Sequence, residues 1–199
     1  MLRALFLTVI LAACGSPSMP PVAEPPGRTG PLAEAPRLDL DALARDIHRG
    51  TNQARRRHGQ GAIGWSDRLA SVARVHSRDM ATGRFFDHVS PSGEAPNDRA
   101  ERLGVRCRVD LGQGRLRVGV LENLYQTWRW SEWTEIRQGD VTTRTYAWQT
   151  RPEITRAVVQ GWLGSPGHRR NLLDDAAQDE GIAVVGAPDG ALYVTQVIC

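Results

Sequence analysis

Between residues 15 and 36 the chain reads "GSPSMPPVAEPPGRTGPLAEAP", which holds seven of its twelve prolines. Proline fixes φ and carries no backbone N–H, so such a run builds neither a helix nor a sheet ladder. The stretch cannot bury a core and is expected to be an extended, polyproline-like tether. At about 3.1 Å per residue it reaches on the order of 70 Å when drawn out. Any folded domain therefore has to be built from residues 37–199.

The segment before the tether, "MLRALFLTVILAAC", has a short positive start at Arg3 and an apolar run from Ala4 to Leu11. That run is too short to span a bilayer as a helix and reads as a secretory signal. Its ending, "LAAC", resembles a bacterial lipobox. On that reading residues 1–13 are removed and Cys14 is lipidated, so that residues 14–36 tie the domain to a membrane. The alternatives are an ordinary signal peptide or a short anchor. Gly15 stands where an aspartate would resemble an inner-membrane retention signal. The expected location is thus the cell envelope, on the periplasmic face, at the outer membrane rather than the inner.

Charge excludes little. Removing residues 1–13 leaves 24 basic against 22 acidic residues, and every basic residue is arginine. "ARRRHG" (54–59) closes a helix ahead of Gly59, where cations complement the negative end of the dipole. That reading is preferred to nucleic-acid binding, and no nucleic-acid partner is expected. With Cys14 assigned to lipid, Cys107 and Cys199 form an even pair in an oxidising compartment, and a disulfide between them is expected.

In "LDLDALARDIHRGTNQARRRHG", Leu40, Leu43, Ala44, Ile47, Thr51 and Ala54 recur at three- and four-residue steps, as in an amphipathic helix. Asp39 is its N-cap and Gly59 its stop. Leu69, Val72, Ala73, His76 and Met80 repeat the pattern, and His76 reads as a core histidine. Residues 85–99 carry loop chemistry, and a short helix at "NDRAERLG" follows. In "RLRVGVLENLYQ" the alternation of Leu116, Val118 and Val120 suits one strand. Residues 154–163 form another helix, and "PGHRRNLLD" a short one with Pro166 at its first position. "GIAVVGA" and "ALYVTQVI" flank a "PDG" turn, as in a hairpin. Helices bracketing antiparallel strands indicate an α+β layered domain. An insertion at about residues 125–150 holds four of the six tryptophans. Trp128 and Trp130 share a face by strand alternation. They serve either as packing for a hairpin or as an aromatic platform for a glycan.

Four segments stand in order: "FFDHVSPSG", "LENL", "VVQGWLGSPGHRRNLL" and "GIAVVG…YVTQV". Their order and spacing resemble the bacterial branch of the CAP superfamily, which groups cysteine-rich secretory proteins, venom antigens and plant pathogenesis-related proteins. The likeness covers about residues 42–198. It implies an α–β–α sandwich with an antiparallel central sheet and a cleft lined by histidines and acids. By motif these are His88, Glu122 and His168. Many members carry a second glutamate just before the second histidine, whereas "WLGSPGH" has no acid. His168 falls in the first turn of its helix, where the dipole disfavours a charged imidazole.

Two histidines and one carboxylate match an open zinc site with water as the fourth ligand. Weak magnesium or calcium binding and a hydrogen-bonded brace are the alternatives. Three functions follow: a binding module for a lipid, sterol-like or cell-wall ligand; a metal-dependent hydrolase using the same cleft; and a structural envelope protein with a vestigial cleft. Ser90 and Ser165 lie near histidines in sequence, but their proline neighbours suggest turn roles.

Overall fold

The computed structural model describes residues 35–199. Cys14, the signal segment and the tether up to residue 34 lie outside these residues. The expected helices form as α1 (Leu40–Arg57), α2 (Asp67–Gly83), α3 (Pro96–Arg102), α4 (Arg151–Gly164) and α5 (Pro166–Leu172). The Asp39 carboxylate accepts from the Ala42 amide at 2.9 Å and so caps α1. In the last turn Arg56 and Arg57 stay at the surface, but Arg55 turns inward. Its guanidinium donates to the carbonyls of Gly61, Leu172 and Asp174, closing the end of α5.

The central sheet has the order β1 (Gly64–Trp65), β7 (Asp179–Gly186), β8 (Ala191–Ile198) and β4 (Leu121–Trp128). β4, β8 and β7 pair antiparallel, while β1 adds a two-residue parallel pair to β7. Successive side chains of a strand point to opposite faces, and the two faces are covered by different helices. On one, Ile182, Val184, Leu192 and Val194 pack against Leu43 and Ile47 of α1, Val158 and Trp162 of α4, and Leu172 of α5. On the other, Ala183 and Val197 pack against Leu69, Val72 and Ala73 of α2 and Ala100 of α3. This is the α–β–α sandwich. Cys107 and Cys199 are joined with their Cα atoms 5.5 Å apart, tying the end of β8 to the chain after α3.

Two expectations need correction. "RLRVGVLENLYQ" is not one strand. β3 (Leu116–Val118) pairs with β2 (Arg108–Asp110), and the chain breaks at Gly119, where φ is 103°. An added Cβ there would lie 2.6 Å from the Asn97 side chain, so this turn requires glycine. Leu116 and Val118 are exposed, and only Val120 turns inward. The insertion also begins later than residue 125. Tyr125 to Trp128 belong to β4, and the hairpin is β5 (Trp130–Gln138) with β6 (Val141–Trp148).

α2 lies directly on β7 at Gly181, where an added Cβ would fall 1.9 Å from the Ala70 nitrogen. The contact is to backbone, so no side-chain rotation relieves it. Gly181→Ala should cost about 3 kcal/mol, at the upper end of ordinary overpacking. Gly164→Ala, whose new methyl meets no atom within 4 Å, should be neutral or better. Urea unfolding of both variants checks this, and similar midpoints would contradict the packing described.

Candidate functional site

The site is organised by two adjacent residues of edge strand β4. Strand alternation sends Glu122 to the α2 face and Asn123 to the α5 face, and each holds one of the two histidines expected in the cleft.

On the first face Glu122 is buried. Its Oε1 accepts from Nδ1 of His88 at 2.9 Å, and its Oε2 accepts from Nη2 of Arg99 at 3.2 Å. Arg99, on α3, is itself fully buried. The same Nη2 donates to the His88 carbonyl at 3.1 Å, and Nη1 to the Glu94 carbonyl at 3.4 Å. His76 completes the grip by donating from Nε2 to the Asp87 carbonyl at 2.8 Å. The loop carrying His88 is thus held at two successive carbonyls and at its imidazole. Since Nε2 of His76 carries the proton, its buried Nδ1 is a bare acceptor without a hydrogen-bond partner. Burial pushes the His76 imidazole below the usual histidine range, against the pull of Glu122. The counter-charge of Glu122 is therefore Arg99.

On the second face Nδ2 of Asn123 donates to the His168 carbonyl at 3.1 Å, and Asn171 donates to the Glu122 carbonyl at 3.1 Å. These bonds dock α5 against β4. The His168 and His88 rings then lie 6.1 Å apart, centroid to centroid, edge to face. Burial, and next the charge of His88, hold the His168 imidazole below the usual histidine range. With Nδ1 of His88 committed to Glu122, Nε2 is the ring nitrogen left for a further contact.

His88, Glu122 and His168 are thus brought together, but not as three equivalent ligands. Both Glu122 oxygens are engaged, one by His88 and one by a buried guanidinium that already supplies a positive charge. A carboxylate holding the far nitrogen of a histidine orients that ring. Among the described residues no group of three or more His, Cys, Asp or Glu side chains is arranged to hold a metal ion. The three-residue zinc set does not fit, and no chemical step through zinc follows. Among the described residues no serine hydroxyl or thiol is bonded to an imidazole. The Ser90 hydroxyl is shared with Ser92 and Glu94, and Cys107 and Cys199 are joined.

Of their two expected roles Trp128 and Trp130 take packing and not that of a glycan platform. They stack on one another at 5.5 Å and are only 7% and 2% exposed. Packed beside Tyr146, Trp148 and Met80, they cement the hairpin onto the domain. They offer no ring face to a glycan.

Sequence reasoning missed Arg99, Asn123 and Asn171. Arg99 stands in a short polar helix, and no local signal marks it as buried. Asn123 lies inside "LENL", where its alternation with Glu122 was the available clue. His76 is buried as its apolar stripe implies, yet its polar nitrogen serves the loop.

A model of the cysteine-rich secretory protein family (CAP) matches residues 48–198. Among curated proteins, YkwD of Bacillus subtilis (strain 168) is 26% identical over 171 residues, covering 86% of this chain and 52% of that protein. The membrane protein YlbC of the same organism is 30% identical over 134 residues, covering 67% of this chain and 29% of that protein. The chain therefore spans about half or less of the curated relatives it matches. An extracellular protein containing an SCP domain from Bacillus anthracis aligns with a TM-score of 0.53 at 25% identity, over 80% of this chain and 40% of that one. An outer surface protein from Borrelia burgdorferi shares the fold, with a TM-score of 0.52 at 14% identity over 82% and 96% of the two chains. With the family model spanning the domain from α1 to the end of β8, the chain belongs to the cysteine-rich secretory protein (CAP) family.

Proposed function

We propose that the protein is an exported binding module of the cell envelope that takes an amphiphilic, lipid-like ligand at the His88–His168 cleft. The carrying observation is the composition of one loop. His88, with 44% of its side chain exposed, lies between Phe86 and Val89, large apolar residues left 43% and 44% open. A loop clamped by Arg99 and His76 does not expose such side chains through slackness. Imidazoles beside apolar surface suit a ligand with a polar head and a hydrocarbon body. The extracellular SCP-domain relative supports an envelope location. The "LAAC" sequence and the proline-rich segment support anchoring through Cys14, at the periplasmic face of the outer membrane.

Two experiments test this reading. Titrating the soluble domain with a fluorescent fatty acid and a fluorescent sterol should give saturable binding of one of them. Phe86→Ser should then weaken it about tenfold, the loss expected when roughly half a phenylalanine is no longer covered. His168→Ala should weaken it as well. An idle cleft in a structural protein predicts no saturable binding of either probe, and a ligand held elsewhere predicts unchanged affinity in both variants.

The anchor is tested separately by metabolic labelling with palmitate. Label should enter the wild-type chain, and Cys14→Ser should release an unlabelled protein from the membrane fraction. Equal labelling of the variant would remove the lipid anchor from the proposal.

A further inference from the structure

Behind the cleft a second polar system runs under α1. Nδ1 of His48 donates to Oε1 of Glu180 at 2.6 Å. Oε2 of the fully buried Glu180 accepts from Nε2 of Gln196. Oε1 of Gln196 accepts from Nδ2 of Asn123 at 2.7 Å, and the same Asn123 nitrogen donates to the His168 carbonyl. Oδ1 of Asn123 accepts from Asn171 at 2.9 Å. An unbroken series of side-chain bonds thus crosses the sheet from β7 through β8 to β4 and ends on α5.

Its members have one consistent polarity. Gln196 turns its NH2 toward Glu180 on β7 and its carbonyl toward Asn123. Asn123 must then present its NH2 to Gln196 and to the His168 carbonyl together, which leaves its own carbonyl for Asn171. Each amide uses both ends, and a buried network satisfied in this way is stiff. α5 has only seven residues, too few to hold a position by helical stability alone.

We infer that Glu180 and Gln196 are positioning residues for His168, fixing α5 from across the same face of the sheet through Asn123. This assignment concerns where His168 is held and does not depend on which ligand the cleft takes. Neither residue touches the cleft, and His88 lies outside the series because its loop is held by Arg99 and His76 on the opposite face.

The test is hydrogen exchange with NMR of Gln196→Met, which keeps side-chain length and breaks both bonds. The amides of residues 168–172 should exchange about tenfold faster, the scale of one net hydrogen bond. The Asn123 side-chain amide and the His168 carbonyl resonance should shift, while those of the Asp87 and His88 carbonyls stay in place. Glu180→Gln should keep wild-type values in α5, because its amide oxygen can still accept from Gln196 while His48 changes tautomer. If Gln196→Met fails to fold because it strands the Glu180 charge, Glu180→Met with Gln196→Met removes that charge and should show the same split. Unchanged α5 exchange in a folded variant overturns the inference. So does an equal disturbance of α5 and the His88 loop, or failure of both variants to fold, which would make the series a requirement of the whole domain.

Discussion

The buried contact between Arg99 and Glu122 is the constraint from which the cleft follows. Both groups are removed from water, and a lone charge in that position would cost several kcal/mol. Each is therefore obliged to find the other, and in doing so α3 is drawn against edge strand β4. Two further guanidinium hydrogens go to the His88 and Glu94 carbonyls, and the remaining carboxylate oxygen to the His88 ring. A loop rich in Pro, Gly and Ser thereby acquires a fixed shape without secondary structure of its own.

β4 then does for the other side what this ion pair does for the first. The residue after Glu122 emerges on the opposite face, so one dipeptide anchors histidines from two separate segments of chain. His88 is fixed by its ring and His168 by its backbone. The ring of the former is oriented by Glu122, and burial holds the imidazole of the latter below the usual histidine range. On the proposed reading this pair, beside Phe86 and Val89 left open on the His88 loop, meets a polar group on an apolar body. Among the described residues no serine hydroxyl or thiol is bonded to either imidazole, and no group of three metal-ligating side chains is formed.

Much of this was legible in the sequence, and the boundary is physical. α1, α2 and α4 could be read because each buries a stripe whose spacing matches the helical period. The β7–β8 hairpin could be read from "PDG" between two apolar runs. His88, Glu122 and His168 came from the order of motifs and not from any local rule. The split between β3 and β4 was hidden because Gly119 interrupts an alternation that otherwise continues. Trp128 and Trp130 allowed two readings, since alternation shows which side chains share a face and not whether that face is covered. The role of Glu122 depended on Arg99, 23 residues away, and no periodicity marks an arginine as the buried partner of a distant glutamate.

The most direct measurement of this account is a double-mutant cycle in urea unfolding with Arg99→Met and Glu122→Gln. Arg99→Met leaves a buried carboxylate without its counter-charge and should cost about 3–5 kcal/mol. Adding Glu122→Gln removes the stranded charge, so the double variant should be more stable than Arg99→Met alone. Costs that simply add, with the double variant the least stable of the three, would contradict the claim that this ion pair holds the cleft together.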